Sequence, residues 1–429
     1  MLWQPPLPPH YLALSDAELD RAIDARRREL GNQLIILGHH YQQDSVIAHA
    51  DFTGDSFKLS QLAARKVSQT GCRYVVFCGV HFMAESADIL TPDDVTVILP
   101  DLGAGCSMAD MASFDDAVDA WEQIHEVLAS HQGIEASSHQ GIEASRHREE
   151  LGSASMARSL DGSMARFRVI PITYVNSSAA VKSFVGEHGG AVCTSSNARA
   201  ILEWAFAGGA GGAGGAGGTQ PKAHDEQIKV LFLPDQHLGR NTAAAMGYPR
   251  NQMCLWDPQA PEGMGGLEPS DILRSDVILW KGHCSVHKLF RPEHVDQARA
   301  KYPGIQVIVH PECEYDVVRK ADASGSTEKI ANTLRNAAPG THWAVGTEVH
   351  MVNRLANEVA DKGVVVRMLS DCQCLCTTMY RIDPQHLLWT LDNLAAGRVV
   401  NPIKVDKQTK HFAKAALDRM LEITAAAAP

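Results

Sequence analysis

The sequence predicts an α/β fold of three similar units, each with a parallel sheet covered by helices on both faces. Short apolar segments alternate with helical segments along most of the chain, an order typical of parallel strands joined by helices. The same succession of strand, polar turn and helix start occurs three times. Each round closes with a strand and a cysteine: Cys106, Cys284 and Cys376. We therefore expect a pseudo-threefold arrangement of the units around a shared central cavity.

The closing cysteines set the predicted boundaries. The predicted domains are 1–106, 107–284, 285–376 and a C-terminal helical segment at 377–429 that packs back on the first unit. Apolar runs predict strands at 34–37, 73–77 and 95–99, at 169–172, 230–233 and 277–280, and at 307–309, 343–345 and 364–369. A helix is predicted at 15–30, because Ser15 and Glu18 have the spacing of a capping box.

Two segments of the second unit are predicted to be insertions. The first, at about 130–166, contains the same eight residues twice, at 130–137 and 138–145. The second, at about 207–227, begins with a run of glycine and alanine. Glycine loses much entropy when it is ordered, and neither segment has an apolar period. We expect both to be flexible surface excursions.

Composition excludes several classes of protein. The net charge of −11 argues against nucleic acid as the main partner, since phosphate backbones need basic patches. The N-terminus lacks the pattern of a signal peptide, and no apolar run has the roughly 20 residues of a membrane span. Ten cysteines without an export signal favour reduced thiols. These features predict a cytoplasmic enzyme that binds neither membranes nor nucleic acid.

The closing cysteines fall at equivalent positions in the first and third units. His39 and His310 are the polar residues that follow the first strands of these two units. The interval from His39 to Cys106 and the interval from His310 to Cys376 differ by one position. With Cys284, one thiol from each unit would meet at the shared cavity. Three such thiols can hold three corners of a 4Fe-4S cluster, and the fourth iron could bind substrate oxygen as a Lewis acid.

Zinc is the rival metal for these thiols. Zinc sites usually take cysteines in close pairs such as C-x₂-C, and the sequence contains none. Cys372 and Cys374 fit the repeat less well than Cys376, because they lie closer to His310 than the repeat requires. Cys372 and Cys374 are either a redox-sensitive pair or residues without a role in the site.

Each unit also opens a helix with hydroxyl side chains: Ser56, Ser195 and Thr327. Ser56 follows His39 at the same interval at which Thr327 follows His310. A helix N-terminus offers unpaired N–H groups and a partial positive charge, so three of them could hold a substrate with several anionic groups. For any single residue, helix capping alone is the simpler interpretation. No nucleotide-binding glycine motif opens these helices.

Polar residues that follow the first strand of each unit are the predicted acid–base groups. Facing one cavity, they suit proton transfer and carbonyl polarisation better than purely structural roles. They are His39 and Tyr41, Tyr174 and Asn176, and His310 and Glu312. Glu312 is the one carboxylate in this set, and we therefore predict it to be the general base.

Seven motifs together resemble the quinolinate synthase family. In chain order they are His39-His40-Tyr41-Gln42, Gly54-Asp55-Ser56, Tyr174-Val175-Asn176-Ser177, Cys193-Thr194-Ser195, Gly282-His283-Cys284, His310-Pro311-Glu312-Cys313 and Gly325-Ser326-Thr327. The resemblance runs from about 33 to 395 without the two insertions. It implies three α/β/α sandwich domains around a central 4Fe-4S cluster. It also implies the condensation of iminoaspartate with dihydroxyacetone phosphate, with loss of phosphate and water, to form quinolinate for NAD biosynthesis.

The resemblance also implies a role for each matched residue. Cys106, Cys284 and Cys376 would be the cluster ligands, although the chain has C-x-C-x-C where some members of the family have C-x₂-C-x₂-C. Glu312 would move protons, with Tyr41 as the partner acid. The substrate shell would consist of His39, Ser56, Tyr174, Asn176, Ser195, His310, Glu312 and Thr327. L-aspartate oxidase, as the source of iminoaspartate, would be a functional partner.

Two other interpretations remain open at the level of sequence. A different hydro-lyase that depends on a 4Fe-4S cluster would share the open iron, but the three anion-binding helix starts favour the condensation. A non-enzymatic iron–sulfur sensor would need an element that binds DNA or protein. The acidic net charge and the lack of a basic helix count against it.

Overall fold

The computed structural model describes residues 4–141, 166–209, 226–371 and 374–427, and it has the predicted α/β fold with sheets dominated by parallel pairing. The strands are β1 (Leu34–His39), β2 (Phe52–Gly54), β3 (Tyr74–Cys78), β4 (Thr96–Ile98), β5 (Arg166–Tyr174), β6 (Ala191–Cys193), β7 (Glu226–Leu233), β8 (Met253–Trp256), β9 (Val277–Trp280), β10 (Gln306–Val309), β11 (Ala323–Ser324), β12 (His342–Gly346), β13 (Val365–Met368) and β14 (Pro402–Ile403).

The helices lie before, between and after these strands. They are α1 (Pro9–Leu12), α2 (Asp16–Leu30), α3 (Asp44–Ile47), α4 (Ser56–Thr70), α5 (His81–Leu90), α6 (Phe114–Gly141), α7 (Ala179–Glu187), α8 (Ala198–Phe206), α9 (Gln236–Ala245), α10 (Pro269–Arg274), α11 (Pro292–Lys301), α12 (Tyr315–Lys320), α13 (Thr327–Arg335), α14 (Val349–Val359), α15 (Pro384–Ala395) and α16 (Lys407–Ala427). Within the described ranges, no helix is long and apolar enough to cross a membrane.

The strands form three sheets with a common internal order. The first sheet runs β14-β4-β3-β1-β2, the second β6-β5-β7-β9-β8 and the third β11-β10-β12-β13. In each sheet, the first strand of the unit lies between the second and third strands of that unit. The strand that precedes the closing cysteine pairs with the third strand. Among the described strands, all pairs are parallel except β14 with β4. All nine predicted strands are present, which confirms the prediction of parallel sheets.

Short strands bring the two predicted polar segments of each unit together. β2, β6 and β11 pair with the first strands β1, β5 and β10, so that His39 lies beside Gly54, Tyr174 beside Cys193 and Val309 beside Ser324. The carboxyl end of each first strand therefore lies next to the start of the hydroxyl-bearing segment. Ligands of open α/β sheets bind at this edge.

The third sheet is covered by apolar side chains on both faces. Val307 and Val309 point into a cluster with Phe290, while Ile308, between them, points into a second cluster with Ile330. Successive side chains of a strand alternate between faces, so the continuous apolar run of β10 serves both layers. The first and second sheets share one continuous core with α15 and α16.

Part of the first predicted insertion is helical, which differs from our expectation. Residues 130–141, expected in a flexible excursion, continue α6 through the first copy of the tandem repeat. The segments 142–165 and 210–225 lie outside the described residues. The helix persists because it continues a segment whose earlier turns, including Ala117, Ala120 and Ile124, pack in the core.

The C-terminal segment contacts both the first and the second units. α15 packs on α2, and β14 adds an edge strand to the first sheet. α16 packs along α7, where Gly186 allows close approach, because a Cβ at this position would lie 1.9 Å from the carbonyl oxygen of Phe412. At the N-terminal end, the capping box of Ser15 and Glu18 opens α2 as predicted.

Candidate active site

One cavity gathers every site residue that the sequence predicted. Its empty space, including the mouth, is about 630 Å³, and it is lined by residues of all three units. The predicted residues among them are His39, Tyr41, Ser56, Cys106, Tyr174, Asn176, Ser195, Cys284, His310, Glu312, Thr327 and Cys376. These residues come from segments spread over most of the chain, so only the fold brings them together.

The three closing cysteines lie in loops after β4, β9 and β13 and face this cavity. None of them forms a disulfide. Burial raises the pKa of the Cys106 thiol to about 12. Burial also raises the pKa of Cys284, and the charges of Glu312, Cys106 and Cys376 add to this effect because those groups are close. Cys374 is buried and does not line the cavity, and Cys372 lies outside the described residues.

Two histidines occupy equivalent places at the ends of the first strands. His39 Nδ1 accepts the N–H of Tyr41 at 3.2 Å, and His310 Nδ1 accepts the N–H of Glu312 at 3.3 Å. Burial lowers the pKa of His39 and lowers that of His310 to about 3. Each ring is therefore neutral, and its Nε2 carries the proton. Both are proton donors at this edge of the sheet.

Glu312 is buried and held by two partners. The Tyr174 hydroxyl donates to Glu312 Oε1 at 2.6 Å, and His287 Nδ1 lies 3.0 Å from Oε2. Burial alone would raise the pKa of Glu312. The neighbouring His310 and His287, and the hydrogen bonds from His287 and Tyr174, stabilise the carboxylate and hold its pKa below the ordinary value.

His287 and Thr347 belong to this network, and sequence reasoning missed both. The His287 ring stacks on His310 with centroids 4.3 Å apart, and its Nε2 lies 3.2 Å from Thr347 Oγ1. Thr347 in turn lies 2.8 Å from the hydroxyl of Tyr41. The one available signal was the C-x₂-H spacing from Cys284, which places His287 in the short helix that follows the cysteine. Nothing in the sequence indicates Thr347.

The hydroxyl-bearing helix starts are similar in two units and different in the third. Ser56 and Thr327 are the first residues of α4 and α13, whose N-caps are Asp55 and Ser326. In the second unit α8 begins only at Ala198, so Ser195 lies in the preceding turn and not at the helix start as predicted. Asn197 Oδ1 accepts the N–H of Thr194 and holds this turn closed, which delays the helix.

The described lining of the cavity offers no cationic side chain to an anionic ligand. Among the described residues that line it, none is a lysine or arginine. Hydroxyls, the N–H groups of the histidines and helix N-termini are therefore the groups that could hold phosphate or carboxylate. The side-chain amide oxygen of Asn176 is buried and finds no hydrogen-bond partner in the described parts of the chain, so a ligand donor could occupy that position.

Metal-binding groups are also concentrated here. The ligand atoms of Cys284, His287 and Glu312 lie within 4.8 Å of one another. Three thiols beside a hydrogen-bonded network of titratable side chains in a buried cavity are typical of an enzyme active site, and they include groups that could hold a metal ion.

The chain belongs to the quinolinate synthetase A protein family (NadA). The family profile matches residues 21–210 and 219–422, so its one interruption falls in the glycine–alanine run. The chain is 51% identical to the quinolinate synthase of Acidobacterium capsulatum over 415 residues, which cover 96% of this chain and 95% of that protein. It is 48% identical to the quinolinate synthase of Rhodopirellula baltica over 428 residues, 97% of this chain and 94% of that protein.

Proposed function

We propose that this protein is a transferase that condenses iminoaspartate with dihydroxyacetone phosphate, with release of phosphate and water, to give quinolinate for NAD biosynthesis. Membership of the quinolinate synthetase A family supports the reaction. The observation that carries the proposal is the single cavity that collects thiols, acid–base groups and the hydroxyls of Ser56, Ser195 and Thr327. L-aspartate oxidase would supply iminoaspartate, and we place the reaction in the cytoplasm because the thiols of the site must stay reduced.

The donor set of the cavity fits a 4Fe-4S cluster. Cys106, Cys284 and Cys376 provide three soft sulfur donors, one from each unit. A 4Fe-4S cluster has four irons, so one iron would have no protein ligand. Three buried thiols resist ionisation unless a cation offsets their charge, and iron would do so. When bound, the cluster would supply Lewis-acid chemistry at the iron without a protein ligand.

The anionic groups of the substrates match the hydroxyl positions in number. Iminoaspartate has two carboxylates and dihydroxyacetone phosphate has one phosphate, while Ser56, Ser195 and Thr327 offer three hydroxyl positions. Backbone N–H groups at the starts of α4 and α13 add donors directed to these anions. The orphan amide oxygen of Asn176 would accept a hydrogen from the nitrogen of iminoaspartate.

Glu312 would take and return protons during condensation and ring closure. Tautomerisation of iminoaspartate removes a proton from the carbon beside the imine carbon, and an ionised carboxylate in a dry cavity is a suitable acceptor. The hydrogen bonds of Tyr174 and His287 fix the direction of the Glu312 carboxylate. The Nε2–H groups of His39 and His310 would polarise a substrate carbonyl.

Tyr41 would be the partner acid. Burial raises the pKa of its hydroxyl well above the ordinary value, so the hydroxyl keeps its proton. It lies 2.8 Å from Thr347 Oγ1, which contacts His287 Nε2, and His287 contacts Glu312. This chain of contacts would return a proton from the base to the acid between steps.

We further propose that the units at 1–106, 107–284 and 285–376 are α/β/α sandwich domains related by pseudo-threefold symmetry. The common strand order of the three sheets supports this arrangement. The lining of one cavity by the carboxyl ends of all three first strands supports it as well.

The direct test is an anaerobic assay of quinolinate formation from iminoaspartate and dihydroxyacetone phosphate. We expect quinolinate and phosphate to form in equal amounts. A cluster-containing protein that forms neither product, but dehydrates a hydroxy acid, would be a hydro-lyase. A protein without any turnover, whose cluster responds to oxidant, would fit the sensor.

A further inference from the structure

Three equivalent helices each reach across a unit boundary. α5, α9 and α14 follow β3, β7 and β12, the third strands of the first, second and third units. In each helix one polar side chain hydrogen-bonds the backbone of the loop that follows the first strand of another unit. These side chains are Glu85, Asn241 and Arg354, which lie five, six and six residues after the N-cap of their helix. The contacts run from the first unit to the second, from the second to the third, and from the third to the first.

Asn241 holds the backbone on both sides of Glu312. Its amide group donates one hydrogen bond to the carbonyl oxygen of Pro311 and one to that of Cys313, both at 2.8 Å. Both hydrogens of the amide are used in this way. Asn241 is 7% exposed and does not line the cavity, so it acts on the loop and not on a ligand.

Arg354 holds the backbone on both sides of Tyr41 in the same way. Its guanidinium donates to the carbonyl oxygen of His40 and, at 3.2 Å, to that of Gln42. A third contact, to the carboxylate of Asp44, fixes the far end of the loop. Asn241 and Arg354 thus make the same contacts at equivalent positions, although one is a neutral amide and the other a cation.

The second unit has a variant of this contact. Glu85 of α5 accepts the N–H of Ala179 at 2.9 Å, at the end of the loop that carries Asn176. The carbonyl of Ser177, which follows Asn176, accepts a hydrogen bond from Lys182 of the same unit. The cross-unit contact therefore consists of one hydrogen bond here, in place of two or three.

We propose that Asn241 and Arg354 are positioning residues, which make the reactive geometry of one unit depend on its docking to another. The inference deepens the proposed function and rests on it, since it names the residues that position the proposed base and acid. Side-chain hydrogen bonds to two carbonyls that flank a residue fix the backbone from which Glu312 and Tyr41 project. A misplacement of reacting groups by about 1 Å can cost about 100-fold in rate.

Two variants and two matched controls test the proposal. Asn241→Asp keeps the size of the side chain and removes both donors, and Arg354→Ala removes the guanidinium. Asn353→Asp makes the first change at an exposed position of α14. Arg335→Ala makes the second at an arginine whose ion pair, with Glu358, stays within the third unit.

We expect kcat per iron-loaded site to fall about tenfold or more in both test variants, with KM for both substrates within about twofold of wild type. Iron content and melting temperature should match those of the controls. Millimolar guanidinium should restore part of kcat in Arg354→Ala and none in Asn241→Asp. Amide hydrogen exchange should accelerate at 310–314 in Asn241→Asp and at 39–44 in Arg354→Ala, each in the unit that does not contain the substitution.

Three results would overturn the proposal. The first is a kcat within about twofold of wild type in both variants. The second is a loss of kcat that scales with the loss of iron or with the fall in melting temperature. The third is unchanged amide hydrogen exchange at both loops. If wild type forms no quinolinate, the proposed function fails, and the exchange measurement alone then decides whether these contacts hold the loops.

Discussion

The hydroxyl of Tyr174 donates a 2.6 Å hydrogen bond to Oε1 of Glu312, 138 residues further along the chain. The bond joins the ends of the first strands of the second and third units. On the opposite oxygen, His287 Nδ1 lies at 3.0 Å. A carboxylate with a partner on each oxygen has one orientation, and this arrangement underlies the base role that we propose.

Glu312→Gln should abolish most turnover. The amide keeps the size of the side chain but cannot take a proton, so we expect kcat to fall by about 100-fold or more with iron content unchanged. The measurement is quinolinate formed per iron-loaded site. The exposed Glu358→Gln is the control, and equal rates in the two variants would remove Glu312 as the base.

Tyr174→Phe should shift the acid limb of the kcat/KM profile to higher pH. The hydrogen bond from Tyr174 favours the charged form of Glu312 and lowers its pKa, so its removal raises that pKa. The carboxylate then takes up its proton at a higher pH, and activity at low pH is lost earlier. An acid limb that stays in place, measured over the pH range in which iron content is constant, would contradict the role of this hydrogen bond.

His287→Asn should lower kcat by about tenfold to 100-fold. The shorter side chain cannot contact both Glu312 Oε2 and Thr347 Oγ1, so the carboxylate loses one support and the contacts to Tyr41 are broken. His342→Asn, at an exposed position of β12, is the control. Full activity in His287→Asn would show that the proton does not pass through this ring.

Ser56→Ala and Thr327→Val should raise KM more than they lower kcat. A hydrogen bond to a charged group contributes about 1.5–3 kcal/mol, so each lost hydroxyl should raise KM about tenfold or more for the substrate that it holds. Thr333→Val, at a partly buried position of α13 that does not line the cavity, is the matched control. Which substrate loses affinity in each variant would assign the phosphate and the carboxylates. An unchanged KM for both substrates would contradict the anion role.

The sequence predicted what depends on local pattern. Apolar runs predicted nine of the fourteen described strands, and the capping box predicted the start of α2. The repeated order of strand, turn and helix, together with the spacing measured from His39 and His310, predicted which residues would share a cavity. These features depend on residues that are close in the chain, where period and spacing are informative.

The remaining features depend on contacts that the apolar pattern does not show. The roles of Thr347, Asn241 and Arg354 follow from partners in another unit, and no local pattern indicates such pairs. The short strands beside the first strands exist only as partners in a sheet, and they are too short to have a period of their own. The start of α8 at Ala198 depends on how Asn197 closes the preceding turn.

We propose above all that one thiol from each unit builds a single cluster site. The most direct test of this proposal is the iron and sulfide content, with the visible spectrum, of anaerobically purified wild type and of Cys376→Ser, Cys374→Ser and Cys372→Ser. We predict four irons per chain in wild type, with a loss of iron only in Cys376→Ser, because Cys376 lines the cavity and Cys374 does not. Loss of iron in Cys374→Ser or Cys372→Ser instead, or zinc without iron in wild type, would contradict the account.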